Sequence, residues 1–326
     1  MKFETSKGHL YDGSASSEGV PHGQGTMRYK SGEVYVGEWK KGERCGKGDM
    51  VYADGLSRYV GEFARSKKEG FGKMSYANGD SYEGEWREGQ FEGKGVYRFH
   101  QGESFEGSYS KNRRARGKYS YASDGSYYEG DFACHMNEDR VYEDVFHGKG
   151  TFFYREGEVY AGEWREGLRH GDATYEWPSG SKFKGQFVDD EMVHGFYKTA
   201  SGNEYLGDFM NGLRHGKGKA KFKKNGGSYD GEYQNDTMHG KGTYHFGCGS
   251  VFEGSYSNNV RHGYGTLKNA NGEIVLKGTF ENGTLLLPST PRNNTKVRPT
   301  ADNLNQQEDI TKPGLEQVAS RRNVRN

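Results

Sequence analysis

An alternation of aromatic, any residue, glycine, polar residue, aromatic returns about every 23 residues along most of the chain. Typical copies are Tyr35-Val-Gly37-Glu-Trp39, Tyr82-Glu-Gly84-Glu-Trp86 and Tyr160-Ala-Gly162-Glu-Trp164. The anchor glycines are Gly13, Gly37, Gly61, Gly84, Gly107, Gly130, Gly162, Gly185, Gly207, Gly231, Gly254 and Gly278. Ten of the eleven steps between them are 22 to 24 residues and one, from Gly130 to Gly162, is 32. Period-2 alternation predicts strands, because residues i, i+2 and i+4 share one face of a strand. Tyr35, Gly37 and Trp39 then lie on one side, with Val36 and Glu38 on the other. Self-similarity at a fixed period of this length marks a repeat array.

A second signature follows each anchor by about nine residues. It reads His-Gly-x-Gly and ends in an aromatic, as in His22-Gly-Gln-Gly25 with Tyr29 and His239-Gly-Lys-Gly242 with Phe246. Here Gly48, Met50 and Tyr52 share a face, opposite Lys47, Asp49 and Val51. A third signature closes the repeat: Ser31-Gly32, Asp54-Gly55, Asn78-Gly79, Asp124-Gly125, Asn271-Gly272. These dipeptides predict tight hairpin turns with both central residues at positive φ. Each repeat has room for two short strands and two turns. Helical periodicity is absent, and glycine at this density disfavours helix by about 1 kcal/mol per residue.

Gly37 stands between two rings on one face and leaves a gap where a ring from a neighbouring strand can lie. Cross-strand aromatic pairs contribute roughly 0.2–1 kcal/mol each, so a long series of them can replace a conventional core. A single hairpin is marginal in water, so the repeats must stabilise one another. The expected fold is all-β: an elongated, single-layer, twisted antiparallel meander of stacked hairpins. Leu, Ile, Val and Phe make up only 49 of 326 residues, but the formal net charge is +1 and Tyr and Trp add 28 rings. Low charge and periodic aromatics separate this chain from the disordered class.

These residues resemble the MORN repeat (membrane occupation and recognition nexus), with Tyr-x-Gly-Glu-Trp followed by His-Gly-x-Gly at this spacing, over about residues 9–283. The resemblance implies an elongated twisted sheet with a shallow groove. It implies a scaffold at cytoskeletal structures, radial spoke heads of cilia, or membrane–cytoskeleton junctions; phosphoinositide binding is proposed for several members. Some members join the array to an enzyme domain. The chain departs from the pattern at Ala15, at Ala115-Arg116-Gly117, at Tyr197 and at Leu276. The first and last suit capping repeats. The middle two are compatible with local bends, ligand contacts or drift.

The array is expected over 1–283, followed by a short capping strand at 284–288 and a disordered polar, basic tail at 289–326. No segment approaches 18 apolar residues, so no transmembrane helix is expected. The start lacks an apolar signal segment, and Lys2 excludes N-myristoylation. Cys45, Cys134 and Cys248 fall in separate repeats and read as reduced thiols of a cytoplasmic protein.

Candidate chemistry is sparse. Seven histidines, His22, His147, His170, His194, His215, His239 and His262, recur in one slot. Their expected separation of about 9.6 Å is too great for ligands of one zinc ion, each about 2.1 Å away, so no metal is expected. Glu38, Glu62, Glu85, Glu163 and Glu232 follow anchor glycines as repeated surface positions, whereas a general acid is unique and desolvated. No phosphate-binding loop, nucleophile–base pair or cofactor motif is present, so no enzyme activity and no cofactor is expected. Nucleic acid is disfavoured by balanced charge.

Two binding surfaces are candidates. The rings Tyr35, Trp39, Tyr59, Phe63, Tyr82 and Trp86 would anchor a partner protein, since exposed aromatics are typical anchors. Lys40, Lys41, Arg44, Arg65, Lys67, Lys68, and above all Lys111, Arg113, Arg114, Arg116 and Lys118, would form a cationic stripe along one edge toward anionic lipid or an acidic partner; alternatively they protect an edge. The long step places an insertion of about nine residues within Ala133–Phe146, either a docking loop or a plain bulge. The leading reading is a non-catalytic scaffold for cytoskeletal or axonemal proteins, in a cilium or flagellum. The alternative is a peripheral adaptor for phosphoinositides. Open sheet ends make self-association plausible.

Overall fold

The computed structural model describes residues 1–136 and 142–286. The tail at 289–326, the end of the capping segment and the tip of the insertion lie outside the described residues. The described residues form strands and turns with no helix. They pack as two compact units, one ending at Arg155 and the other starting at Glu156. The first contains thirteen strands, from Lys2–Glu4 to Tyr142–Phe153, and the second twelve, from Val159–Arg165 to Thr284–Leu285. Within each unit every strand pairs antiparallel with the strands before and after it, giving an open meander. The capping strand is the pair Thr284–Leu285, opposite Glu281 and Phe280.

The register explains the glycines. Gly13 pairs with Gly25, Gly25 with Gly37, Gly37 with Gly48, Gly48 with Gly61, and so on to Gly130 with Gly150. In the second unit the same line runs from Gly162 through Ala173 and Gly185 to Gly278. Within each unit a stripe of glycines, interrupted only at Ala173, thus crosses the paired strands between the terminal strands Lys2–Glu4 and Thr284–Leu285. One ring fills two places in it: its own strand's glycine two residues later, where the sequence had suggested a neighbour's ring, and the paired glycine of the adjoining strand, where the ring is indeed a neighbour's. Tyr35 folds back over both Gly37 and Gly48, where added Cβ atoms would come within 2.6 Å and 2.4 Å of its ring atoms. Its hydroxyl donates to Glu38 O at 3.1 Å. Tyr59, Tyr82, Tyr128, Tyr205 and Tyr229 repeat this bond at 2.9–3.0 Å.

The two hairpin ends are the reverse of the expected assignment. At Asn78-Gly79 only Gly79 has positive φ; Gly79 N donates to Tyr76 O and Tyr76 N to Asp80 O, a longer loop closed by one left-handed residue. The turns with both residues at positive φ lie at the other end, at Lys41-Gly42, Arg65-Ser66, Asp189-Asp190, Asn211-Gly212 and Asn258-Asn259. Only there does the register leave two residues between paired strands, as the mirror-image turn requires. Asn211-Gly212 was the legible signal.

Between stripe and turn, most second strands carry a bulge. Glu38 pairs with Cys45, leaving Gly46 and Lys47 unopposed, with Gly46 at φ +58°. The Glu38 carboxylate accepts a hydrogen bond from Lys47 N at 3.0 Å. Glu85, Asp131, Asp208 and Glu232 cap the same amide in their own repeats. The repeated acid is therefore a bulge cap and not simply a solvated face. The departures at Ala115-Arg116-Gly117 and Tyr197 have one shared cause. Their bulges skip a single residue, Ala115 or Val193, so Gly117 and Gly195 are the stripe glycines. These repeats also lack the capping acid, with Ser108 and Gln186 in its place.

Candidate protein-binding face

One sheet face carries nearly all the rings. The anchor rings form an edge-to-face ladder from repeat to repeat. In the first unit Tyr11–Trp39, Trp39–Tyr35, Tyr35–Phe63, Phe63–Tyr59, Tyr59–Trp86 and Trp86–Tyr82 have centroids 5.1–5.7 Å apart and planes nearly perpendicular. Such pairs add about 0.5–1.5 kcal/mol each beyond area burial. The second unit has its own ladder, including Tyr160–Phe187, Phe183–Phe209, Tyr205–Tyr233 and Phe252–Phe280. Trp39 Nε1 and Trp86 Nε1 donate to Gly25 O and Gly72 O of the preceding repeat. Tyr35, Trp39, Tyr59, Phe63, Tyr82 and Trp86 are consequently at most 6 % exposed. They bind one another and present little surface to a visitor.

A second row of rings is half-exposed. It comprises Tyr29, Tyr52, Tyr76, Tyr97 and Phe99 in the first unit, with Trp177, Tyr244 and Phe246 in the second. Tyr76 and Tyr97 lie 6.2 Å apart, Tyr97 and Phe99 4.7 Å, Tyr175 and Trp177 4.6 Å, and Tyr244 and Phe246 4.6 Å. For all but Tyr97 and Tyr244 the sequence signal was the aromatic that ends the His-Gly-x-Gly stretch. Burial raises the Tyr52 and Tyr76 phenols, Tyr76 to about 12.

Cations cover the ladder from above. The residue two places after each tight turn points to the ring face because the turn holds only two residues. It is Arg44, Lys68, Phe91 or Arg114 in the first unit, and Arg169, Met192, Arg214, Met238, Arg261 or Leu285 in the second. Arg169 lies over Tyr160 and Phe187, and its Nη2 donates to Asp190 O at 2.7 Å while Nε meets Asp190 Oδ1 at 3.1 Å. Arg214 holds Asp236 in the same way, and Arg114 holds Asp144. Each arginine thus clamps the tight turn of the next repeat. Asp144 shows where the insertion entered. Ala133 pairs with Val145, so Asp144 stands at the position of Asp190 and Asp236, the second residues of their turns, although here it lies in a strand, paired with Cys134. Nine residues, 135–143, split that turn and leave the clamp intact.

The cationic stripe read from the sequence is largely spoken for. Arg114 is 6 % exposed and tied to Asp144, Arg113 approaches the same carboxylate at 3.8 Å, and Arg116 pairs with Asp131 at 2.7 Å. Lys118 Nζ sits 3.9 Å from the Tyr127 ring centroid. Lys111 is exposed, and its amide donates to Glu92. Arg65 and Lys67 pair with Glu88. Arg44, Lys68 and Arg114 sit on the ring face and not along the edge. The histidines are also not one file. His170, His215 and His239 oppose the capping acids of their own repeats, whereas His194 opposes Gln186 of its own repeat and also Asp208 of the next, Nδ1 to Oδ1 at 2.8 Å. The single-residue bulge places His194 opposite residues on both neighbouring strands.

Ten segments match the family model for the MORN repeat: 17–34, 35–57, 59–81, 82–104, 141–159, 160–182, 183–204, 205–226, 229–251 and 252–274. The chain belongs to the MORN-repeat family. The anchors Gly13, Gly107, Gly130 and Gly278 fall outside the matched MORN segments, yet each pairs in the glycine stripe as the other eight anchors do. No curated protein matches the sequence. Among solved structures, the TCP10 domain of Danio rerio CPAP in complex with a peptide of STIL is 8 % identical, with a TM-score of 0.28, covering 86 % of this chain and 99 % of that one. The CPAP G-box domain is 11 % identical, with a TM-score of 0.33 over 57 % and 92 % of the two chains. The SAS-4 TCP domain of Drosophila melanogaster with a proline-rich motif of Ana2 is 10 % identical, with a TM-score of 0.27 over 60 % and 86 %. None of these similarities bears on function.

Proposed function

We propose that this MORN-repeat chain is a non-catalytic scaffold that binds partner proteins along its ring face. The observation that carries the reading is the half-exposed second row, Tyr52, Tyr76, Tyr97 and Phe99, on a face that no described helix or second sheet covers. Half-exposed aromatics on a rigid backbone lose little freedom on binding and bury large area. Family resemblance supports a setting in cytoskeletal structures, with the axoneme of a cilium or flagellum as the specific location and axonemal proteins as partners. No described helix is long and apolar enough to cross a membrane.

Affinity capture from ciliated cells, with wild type against Tyr76→Ser/Phe99→Ser, tests the reading. The proposal expects cytoskeletal proteins captured by the wild type and lost with the double variant, and axonemal localisation of a fluorescent fusion. Equal capture by both proteins would refute the ring face as the contact surface. The phosphoinositide alternative has less support, because Arg113, Arg114 and Arg116 have carboxylate partners within the chain. Salt-sensitive sedimentation with phosphoinositide vesicles, abolished by charge reversal at Lys111 and Arg113, would revive it.

A further inference from the structure

The clamp residues differ in how their charge is met. Arg114, Arg169 and Arg214 each have a carboxylate within the chain. Arg44 and Lys68 have none among the described residues. Arg44 reaches Ser66 O through Nη2 at 2.7 Å, and its buried Nε has no hydrogen-bond partner. Its guanidinium lies over the Tyr29, Tyr35 and Phe63 rings at 5.4–6.0 Å. Lys68 is the shorter residue in the next repeat. Its ammonium stands 4.0 Å from the Trp86 centroid and 5.4 Å from that of Tyr59. The next tight turn there is Glu88-Gly89, with no acid at its second position. Desolvation pushes the Lys68 amine down to about 8. Both cations are half-exposed, so an incoming anion can reach them. The half-exposed rings Tyr52 and Tyr76 immediately follow the ends of the same two strands.

We infer that Arg44 and Lys68 receive two carboxylate side chains of one extended partner segment, whose residues between and beside them lie on Tyr52 and Tyr76. This rests on the protein-binding reading of the ring face. The cations sit on strands two apart, so their spacing is about 9.6 Å. A polyproline II segment rises about 3.1 Å per residue with three residues per turn, so residues i and i+3 lie on one side about 9.3 Å apart. The occupant is therefore an extended peptide with acids three residues apart and apolar or proline residues between. Carboxylates near half-desolvated cations are recognised more strongly than at a fully hydrated surface.

Fluorescence anisotropy of the full chain with tagged Pro-Glu-Pro-Pro-Glu-Pro and Pro-Gln-Pro-Pro-Gln-Pro tests this. The acidic peptide is expected to bind at least tenfold tighter, with a preference that weakens in salt. Arg44→Met or Lys68→Met should remove most of that preference, and Lys94→Met, at an exposed position on the other face, should leave it unchanged. Circular dichroism verifies that each variant remains folded. If both peptides bind equally, and Tyr52→Ser/Tyr76→Ser weakens both, the two-cation site is wrong while the ring face stands. If neither binds at millimolar concentration, and the serine variant captures the same proteins as wild type, both ideas fail. Binding to phosphatidylserine vesicles in place of the acidic peptide would also overturn the inference.

Discussion

The phenol ring of Tyr35 lies on Gly48 of the adjoining strand, and a Cβ built there falls 2.4 Å from Tyr35 Cε2. Gly48 has no positive φ, so the requirement for glycine is purely one of space. Gly48→Ala is expected to displace the ring and destabilise the first unit by about 1–3 kcal/mol, the usual range for overpacking. Urea denaturation of the full chain would measure it. Tyr35→Leu in the Gly48→Ala background should recover part of the loss, because the clash goes with the ring.

Arg214 and Asp236 form a second testable pair, joining one repeat to the next. Both are largely buried, so removing one partner leaves an uncompensated charge. Arg214→Met is expected to cost about 3 kcal/mol. Arg214→Met with Asp236→Gly should cost much less, since Met is the natural residue at the equivalent positions 192 and 238. A double-mutant cycle by denaturant titration reads the coupling.

Residues 135–143 split a tight turn without disturbing its clamp. Deleting them together with Cys134→Asn creates an Asn-Asp turn in front of Val145, close in chemistry to Asn235-Asp236. Asn tolerates the left-handed region such a turn needs. The shortened chain is expected to melt within about 2 °C of wild type, because a ΔΔG under 0.5 kcal/mol shifts Tm little at this size. A large drop would show that the insertion supports the sheet.

Asp208 supplies a pH dependence. Its carboxyl is held below the usual value, first by the hydrogen bond from His194 and then by the Lys217 amide. A lowered folded-state value means that the stabilisation is complete above the ordinary carboxylate value of about 3.9. It is lost as pH falls through the folded value. Asp208→Asn should therefore be less stable than wild type at pH 5, by under ~1 kcal/mol for so exposed a site. The gap should close on approach to pH 2, as followed by thermal melts across that range.

The meander was legible because a period of 23 with strict alternation leaves few alternatives to hairpins. The twelve anchors were legible for the same reason. Ring placement was less so: alternation fixes the face of Tyr35 but not which glycines it covers, since its χ angles leave no trace in the sequence. The turn assignment failed because Asn78-Gly79 and Asn211-Gly212 look alike locally, and only strand register separates a two-residue from a longer connection. The basic stripe misled because a lysine or arginine two places past a turn resembles loop charge, yet the backbone turns it onto the rings. The linked changes at Ser108 and Gln186, where acid cap and left-handed glycine vanish together, were visible in the sequence but have meaning only once the bulge is seen.

The unbroken glycine stripe of the first unit carries a hazard. Sliding the pairing by one whole repeat would restore every Gly–Gly contact and every strand partner, so the backbone alone cannot tell the right neighbour from the next. What differs between repeats is the clamp position, occupied in turn by Arg44, Lys68, Phe91 and Arg114 in the first unit. These unequal residues act as address labels, penalising a mis-registered hairpin through a stranded charge or a misplaced ring. A chain with one identical clamp in every repeat would fold into a mixture of slipped forms.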